Sequence, residues 1–281
     1  MNQIISGKTR LVGLLGDPVE HSSSPYIHNA AFVKLGLDYV YLAFTVNQEN
    51  LAKGVQAMKT LGALGFNVTM PNKEAIMPLL DEVSKEAKLI GAVNTVKIND
   101  NRLKGYNTDG MGFVKSLKEE GISPGEEKFV LAGAGGAAKS IAVQLALEGA
   151  KEIAILSRRK AEGETISNGI RDNIPGVLVN AYGLTDPALE KELKTAGVFV
   201  NCTPLGMKPH EDKSIVPDSK LLRKDLVVAD IIYSPKTTRL MKMAGDRGCK
   251  VIGGRGMLLG QGALAFEIWT GKKMPVEVAK N

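Results

Sequence analysis

The hydrophobic and polar positions alternate between two patterns along the whole chain. Short apolar runs, typical of buried strands, are followed by stretches in which apolar residues recur every three or four positions, as in amphipathic helices. This order is typical of βαβ units whose strands form parallel sheets. The pattern therefore predicts an α/β protein.

The strand candidates form two series. The first comprises 10–15, 39–46, 64–69 and 93–98, with helices predicted at 25–35, 49–61 and 72–80. The second comprises 128–132, 152–156, 177–180, 198–201, 226–231 and 250–252, with helical stretches between them. The second series fits the strand count of a Rossmann fold. We therefore predict an N-terminal, mostly parallel α/β domain and a doubly wound Rossmann domain.

The domain boundaries follow from two helices. A helix predicted at 108–120 leaves the first series, and a last helix at 257–270 follows the sixth Rossmann strand, so it is expected to pack back on the first domain. We predict a first domain of 1–112 plus 255–281 and an inserted Rossmann domain of 113–254. A length of 281 residues fits two domains.

Composition narrows the class of protein. Hydrophobic residues make up 44% and charged residues 23%, and no apolar run approaches the roughly 18 residues of a membrane span. The first residues lack the apolar core of a secretory signal, so a cytoplasmic protein is expected. Cys202 and Cys249 have no C-x-x-C spacing and are expected to be buried hydrophobes.

Charge indicates small anionic ligands. The net charge is +6, but the basic residues are scattered and form no block, which argues against nucleic acid. The three histidines, His21, His28 and His210, have no metal-ligand spacing, so no metal is expected.

A glycine turn joins the first strand of the second series to a helix, in the run Gly-Ala-Gly-Gly-Ala-Ala at 133–138. Gly133 can adopt the positive φ of a tight turn, while Gly135 and Gly136 lack a Cβ that would hold a phosphate away from the backbone. The free N–H groups of the following helix would face an anion. The pattern favours a pyrophosphate site formed by Gly133, Ala134, Gly135, Gly136 and Ala137, although such glycines also make ordinary loops.

A cationic segment follows the second strand of the same series. Ser157, Arg158, Arg159 and Lys160 stand where an NAD enzyme usually places an acidic residue against the ribose. Hydroxyl and guanidinium groups instead suit a 2′-phosphate, so NADP is favoured and NAD stays open. A solvated helix start is the alternative.

Five polar segments fall in loops, mostly beyond strand candidates, where open α/β sheets hold ligands. Four of them have an ordinary structural explanation, namely a serine helix cap, a solvated lysine, and turn chemistry at two glycines, and the fifth, a single glutamine, indicates nothing by itself. The segments are His21–Pro25, Asn67–Lys73, Gly91–Thr95, Gly105–Asp109, and Gln261.

Together these segments resemble the shikimate dehydrogenase family, almost from end to end. The matching residues, in order, are Ser22, Ser24 and Pro25, N-V-T-x-P-x-K ending at Lys73, G-A-V-N-T at 91–95, N-T-D at 107–109, G-A-G-G-A-A at 133–138, N-C-T-P-L-G-M at 201–207, D-I-I-Y-S-P at 230–235, and G-M-L at 256–258 with Gln261. The resemblance implies reversible reduction of 3-dehydroshikimate to shikimate by a nicotinamide cofactor, in an N-terminal substrate-binding domain and a Rossmann NADP-binding domain with the substrate held between them.

The resemblance also implies roles for individual residues. Lys73 exchanges a proton with the reacting oxygen and Asp109 orients it, the ammonium stabilising the negative charge that develops there. The carboxylate of shikimate is held by Ser22, Ser24 and Tyr233, and its hydroxyls by Thr69, Asn94, Asp109 and Gln261. Around the nicotinamide the implied residues are Cys202, Thr203, Met207, Ile231 and Gly254.

Three other functions stay open. Paired arginines at 158–159 also occur in relatives that accept NAD or act on quinate, which makes a quinate/shikimate dehydrogenase the nearest alternative. A folate-linked dehydrogenase and a non-catalytic shikimate or quinate sensor are further ones, although a sensor predicts a lesion in the catalytic pair, and Lys73 and Asp109 are both present. The expected partners are small molecules only, with a monomer or a homodimer equally compatible.

Overall fold

The structure, a computed structural model, describes residues 5–279. These residues form two compact units, one of 5–108 with 261–279 and one of 109–260. Each unit contains an α/β sheet, which confirms the predicted two-domain α/β fold class.

The first unit has a mixed sheet with the strand order β2-β1-β3-β5-β6-β4. β1 pairs in parallel with β2 and β3, and β4 with β6, whereas β5 runs antiparallel to both β3 and β6. The strands are β1 (Arg10–Gly16), β2 (Tyr39–Thr45), β3 (Gly65–Val68), β4 (Glu82–Val83), β5 (Thr95–Asn99) and β6 (Arg102–Tyr106).

Three helices complete the N-terminal part of this unit: α1 (Ser24–Lys34), α2 (Leu51–Thr60) and α3 (Lys85–Ile90). The helix predicted at 72–80 is wrong. Pro78 lacks a backbone N–H, and the segment forms only isolated turns and a short 3-10 helix at Met77–Leu79. The strand β6 was not predicted; a turn with positive φ at Asp100 and Asn101 joins it to β5.

An aromatic cluster fills the core of the first unit beneath α1. The ring of His28 stacks on Tyr41 with centroids 4.6 Å apart, and Phe32 stacks on Phe266 at 5.2 Å. Trp269 donates its indole N–H to the carbonyl of Val96 at 2.9 Å. These contacts fix the C-terminal half of the last helix on the sheet of the first unit, as the sequence predicts.

The second unit has a sheet in which every pair of neighbouring strands is parallel, with the order β12-β11-β10-β7-β8-β9. This is the doubly wound Rossmann order, and its topological switch point lies between β7 and β10. The strands are β7 (Lys128–Ala132), β8 (Glu152–Ser157), β9 (Leu178–Gly183), β10 (Val198–Asn201), β11 (Val227–Asp230) and β12 (Lys250–Gly253).

The helices of the second unit lie between these strands. The boundaries between the units are at 108/109 and 260/261, whereas the sequence placed them at 112/113 and 254/255. At the first boundary, all of α4 belongs to the second unit because it packs against α5. The helices are α4 (Asp109–Glu119), α5 (Gly136–Leu147), α6 (Lys160–Asn173), α7 (Asp186–Leu193), α8 (Arg239–Asp246) and α9 (Arg255–Thr270), the last of which continues into the first unit.

Residues 5–279 contain neither a helix suited to span a membrane nor a cluster of metal ligands. None of the helices in this range is long and apolar enough to cross a membrane. The same residues contain no group of three or more His, Cys, Asp or Glu side chains that could hold a metal ion.

Candidate active site

In the first unit, four loops meet at one edge of the sheet. The parallel strands β1 and β3 end there, and because β5 is antiparallel to β3 and β6, its first residue and the last residue of β6 lie at the same edge. Backbone hydrogen bonds join the loops: Val68 N–H donates to the carbonyl of Asn94 at 2.8 Å, and Val93 N–H to that of Lys73 at 2.8 Å. The sequence segments that end in Lys73 and Asn94 are thus adjacent.

The serine segment lies at the start of α1. Ser22 and Ser24 are both half-buried, and Ser22 Oγ accepts from the N–H of Ser24 at 3.2 Å. The helix cap is Ser23, whose side chain makes no capping hydrogen bond. Neither Ser22 nor Ser24, the two predicted ligands, is therefore the side-chain cap of α1, which was the alternative explanation of this segment.

Asn94 is buried in a network of neutral groups. Its Oδ1 accepts from the N–H of Thr108 at 2.9 Å and from the hydroxyl of Thr95 at 3.0 Å, and its Nδ2 donates to Thr108 Oγ1 at 3.0 Å. Asn107 Nδ2 donates to the carbonyl of Ala92 at 3.1 Å. The amide plane of Asn94 is therefore fixed by its neighbours.

Thr69 and Lys73 lie on the loop that follows β3. Thr69 N–H donates to the carbonyl of Leu15 at 3.0 Å, and Asp17 N–H to that of Met70 at 2.9 Å, so this loop is tied to the end of β1. The side chains of Thr69 and Lys73 are both half-buried rather than fully solvated. This edge thus presents hydroxyl, amide and ammonium groups, a set suited to an anion that also carries hydroxyls.

The other predicted residues of this group lie on helices. Gln261 is half-buried on α9. Asp109 is the first residue of α4 and is 9% exposed. It belongs to the second unit.

In the second unit, the glycine turn lies at the switch point of the sheet. Gly133 has φ +116°, and a Cβ there would lie 2.9 Å from the carbonyl oxygen of Cys202 on the neighbouring strand. Only glycine combines this φ with so close an approach.

The start of α5 fits a pyrophosphate. Its N-cap, Gly135, offers no side chain, and the first helical hydrogen bond is Lys139 N–H to the carbonyl of Gly135 at 2.9 Å. Among the described residues, none has an atom within 4 Å of a Cβ built on Gly135 or Gly136. The first amides of α5 therefore face open space at the positive end of a helix, as an anion site requires.

The cationic segment ends β8. Ser157 is buried, and its hydroxyl donates to the carbonyl of Arg159 at 2.8 Å, which fixes the turn into α6. Arg159 forms an ion pair with Glu162. Arg158 is exposed and, within residues 5–279, belongs to no ion pair. Of the two arginines, Arg158 is therefore the one whose positive charge is not already paired with a carboxylate.

A buried carboxylate connects the two loops beyond β10 and β11. Asp230 accepts from Asn201 Nδ2 at 3.1 Å, from Ile232 N–H at 3.1 Å and from the Thr238 hydroxyl at 2.7 Å. Burial raises the pKa of Asp230, and hydrogen bonds from Thr238, Ile232 and Asn201 oppose the rise. Asn201 Oδ1 in turn accepts from the N–H and the hydroxyl of Thr203. Asp230 therefore fixes both loops.

The remaining predicted residues lie on these loops and beside them. Met207 and Tyr233 are exposed at 42% and 48%, so both side chains are accessible. Gly254 packs directly on the carbonyl of Ile231. Burial of the thiol raises the pKa of Cys202, with a further contribution from Asp230, so the thiol stays neutral. Cys249 is buried as predicted, whereas Cys202 as a whole is half-buried, because it lies just beyond the end of β10.

Sequence reasoning assigned no role to three buried residues that hold these loops: Asp230, Asn67, whose Nδ2 donates to the carbonyl of Asn94, and Tyr41, whose hydroxyl donates to Asn67 Oδ1. Asn67 and Asp230 are the first residues of the N-V-T-x-P-x-K and D-I-I-Y-S-P motifs. The signal that could have identified them is a polar residue at the end of a buried strand. Tyr41 gave no signal, because an aromatic residue in a strand is ordinarily core.

Comparison with known proteins identifies the family. A model of the shikimate dehydrogenase substrate binding domain matches residues 14–96, and a model of the shikimate 5'-dehydrogenase C-terminal domain matches residues 254–281. A relative from Alkaliphilus metalliredigens, a shikimate dehydrogenase (NADP(+)), is 58% identical over 99% of this chain and 97% of its own length. The chain belongs to the shikimate dehydrogenase family.

Solved structures of related enzymes share the whole fold. Shikimate 5-dehydrogenase from Listeria monocytogenes, in complex with shikimate and NAD, is 43% identical with a TM-score of 0.96, covering 100% of this chain and 98% of that one. Quinate dehydrogenase from Corynebacterium glutamicum, in complex with NAD, is 31% identical with a TM-score of 0.86, covering 96% of each chain. The same fold thus occurs in a shikimate dehydrogenase and in a quinate dehydrogenase, each in complex with NAD.

Proposed function

We propose that this protein catalyses the reversible NADPH-dependent reduction of 3-dehydroshikimate to shikimate, a step of aromatic amino acid biosynthesis. The observation that carries the proposal is 58% identity to a shikimate dehydrogenase (NADP(+)) over 99% of the chain. The polar edge of the first unit and the glycine turn of the second are chemically suited to a hydroxylated carboxylate and a dinucleotide.

For the substrate, Ser22, Ser24 and Tyr233 bind the carboxylate in this proposal. The ring hydroxyls are bound by Thr69, Asn94, Asp109 and Gln261. Support comes from the neutral donors at the sheet edge of the first unit, because hydroxyls and amides can both donate and accept toward a polyol. Internal hydrogen bonds hold the side chains of Asn94 and Ser22 before binding, which lowers the entropy cost of association.

For catalysis, Lys73 holds the proton that the reacting oxygen exchanges, and Asp109 is its catalytic partner. Bound NADPH would supply the hydride. An ammonium near the oxygen stabilises the charge that develops there and then donates its proton. The half-buried position of Lys73, on a loop tied to β1 and β5, supports this role because the loop limits where the side chain can reach.

For the cofactor, Gly133, Ala134, Gly135, Gly136 and Ala137 bind the pyrophosphate. Ser157, Arg158 and Arg159 bind the 2′-phosphate of NADP. The residues proposed to surround the nicotinamide are Cys202, Thr203, Met207, Ile231 and Gly254. The open first turn of α5 and the free guanidinium of Arg158 support these assignments.

Steady-state rates with shikimate and quinate, each with NADP and NAD, test the proposal. We expect the highest kcat/KM for shikimate with NADP. An absence of shikimate oxidation with either cofactor would refute the proposal and revive a folate-linked or a sensor function, which binding measurements with shikimate alone would separate.

A second candidate is a quinate/shikimate dehydrogenase that uses NAD as well. It is favoured by the paired arginines at 158–159 and by the likeness to a quinate dehydrogenase in complex with NAD. A higher kcat/KM for quinate with NAD in the same experiment would select it. For either activity we propose a cytoplasmic enzyme that is a monomer or a homodimer, which light scattering of the purified protein distinguishes.

A further inference from the structure

Tyr41 is held rigidly in the middle of β2. The side chain of Asn29, on α1, accepts from the N–H of Tyr41 at 2.8 Å and donates to its carbonyl at 2.9 Å. The ring is fully buried and stacks on His28, with centroids 4.6 Å apart and an interplanar angle of 16°. Backbone and ring are thus both fixed, so the phenol oxygen has one position.

The hydroxyl of Tyr41 orients the side chain of Asn67. It donates to Asn67 Oδ1 at 2.7 Å, which leaves Nδ2 facing the other way. Asn67 Nδ2 then donates to the carbonyl of Asn94 at 3.0 Å and to Thr95 Oγ1 at 3.0 Å. Because Thr95 in turn donates to Asn94 Oδ1 at 3.0 Å, the path runs without a gap from Tyr41 to the amide of Asn94.

Burial raises the pKa of the Tyr41 phenol far above its ordinary value, so the group stays a neutral donor. The side chain of Ser24, at the start of α1, lies near enough to the Tyr41 hydroxyl to lower the pKa of the phenol, but burial has the larger effect. The hydroxyl is therefore a fixed neutral donor at the start of the path to Asn94, a residue that the proposed function assigns to the substrate.

We propose that Tyr41 is a positioning residue for the substrate, acting through Asn67 on Asn94. It touches no substrate itself, and its effect is to fix the distance and orientation of groups that do. The inference rests on the proposed function for the identity of the substrate.

The test removes one oxygen atom. Tyr41→Phe keeps the ring, its stacking on His28 and the backbone pairing with Asn29, and it deletes only the hydroxyl. We expect the Kd for shikimate, measured by titration calorimetry without cofactor, to rise about three- to tenfold, which is the effect of losing one oriented contact. The KM for shikimate should rise similarly, with kcat within about twofold and the KM for NADP unchanged.

A matched control removes a phenol hydroxyl elsewhere. Tyr182→Phe acts on β9 of the second unit, where the hydroxyl lies beside Glu192, and it should leave the Kd for shikimate unchanged. A loss of stability alone, seen as a lower Tm with an unchanged Kd in Tyr41→Phe, would overturn the inference.

A double-mutant cycle separates positioning from general loosening. In an Asn94→Ala background, Tyr41→Phe should raise the Kd for shikimate less than it does in the wild type. The reason is that the side-chain amide through which the path reaches the substrate is then missing. Equal effects in both backgrounds would overturn the role through Asn67. If Asn94→Ala does not fold, Thr95→Val, which is nearly isosteric, takes its place.

Failure of the proposed function gives a different result. A wild type that binds shikimate but does not oxidise it contradicts the catalytic proposal, while the calorimetric comparison still decides the role of Tyr41. A wild type that binds no shikimate overturns both.

Discussion

Replacing Asp230 should damage stability and cofactor binding together. The carboxylate is 1% exposed and accepts three hydrogen bonds, from Asn201, Ile232 and Thr238. In Asp230→Ala all three donors lose their acceptor in a site closed to water. In Asp230→Asn one oxygen remains for Asn201 and Ile232, while the new NH₂ group faces Thr238 Oγ1, which can accept.

The magnitude follows from the number of orphaned donors. Each buried donor left unpaired costs about 1–3 kcal/mol, and removing a buried charge offsets part of the total. We expect the free energy of unfolding to fall by about 3–5 kcal/mol in Asp230→Ala and by about 1–2 kcal/mol in Asp230→Asn. The looser loops should also raise the KM for NADP about three- to tenfold in Asp230→Asn.

The same group gives a signed pH dependence. Burial raises the pKa of Asp230 above its ordinary value of 3.8, so the folded protein holds this proton more tightly than the unfolded chain. The stability contributed by protonated Asp230 is complete below pH 3.8 and is lost as the pH rises through the folded pKa. Because asparagine resembles the protonated acid and does not titrate, the wild type should exceed Asp230→Asn by more at low pH than at pH 7.

Urea unfolding at pH 7 and at pH values near and below 4 measures these differences. The acid effects of the other carboxylates occur in both proteins and cancel in the comparison. Asp172→Asn, an exposed acid at the end of α6, is the matched control and should change stability by no more than about 0.5 kcal/mol. If Asp230→Ala behaves like this control, or if the gap between wild type and Asp230→Asn widens as the pH rises, the reasoning is refuted.

Three further variants test the proposed catalytic and cofactor residues. Lys73→Ala should lower kcat by roughly two to four orders of magnitude with a smaller change in KM, since a general acid is lost. The control is Lys53→Ala, which removes an exposed lysine on α2. An unchanged kcat in Lys73→Ala would contradict the role. Arg158→Ala should raise the Kd for NADPH much more than that for NADH, and equal losses would mean that Arg158 does not bind the 2′-phosphate. Gly133→Ala should raise the Kd for NADP at least about tenfold, because its Cβ meets the carbonyl of Cys202 and φ is +116°; a Kd like that of the wild type would argue against the pyrophosphate site.

The central Rossmann strands were predictable because their sequences leave little choice. β7 and β10 have the predicted bounds, 128–132 and 198–201, since continuous apolar runs of this length between turn signals fit only buried parallel strands. β6 was missed for the opposite reason. Arg102 and Lys104 are exposed and charged, and only Leu103 and Gly105 are buried, so the alternating signal is short and its glycine resembles a turn residue.

The site was predictable where it consists of local motifs and not where it depends on distant pairs. The glycine turn and the loop ending in Lys73 are each contiguous, so their chemistry can be read directly. Tyr41 and Asn67 are 26 positions apart in the chain, and Asp230 and Asn201 are 29 apart. Nothing in either segment specifies its partner, since register and side-chain direction are set only when the sheets form.

The pairing of Asn29 with Tyr41 has a consequence for the outer margin of the first sheet. β2 is the edge strand, and the N–H and C=O of Tyr41 point away from β1 into the region where another strand would add. Exposed edges of this kind invite pairing with other chains. The side-chain amide of Asn29 makes the two hydrogen bonds to the N–H and C=O of Tyr41 that a neighbouring strand would otherwise make. The side chain that anchors α1 therefore also blocks the middle of the edge, so that sheet-to-sheet association through β2 would first have to break two internal hydrogen bonds.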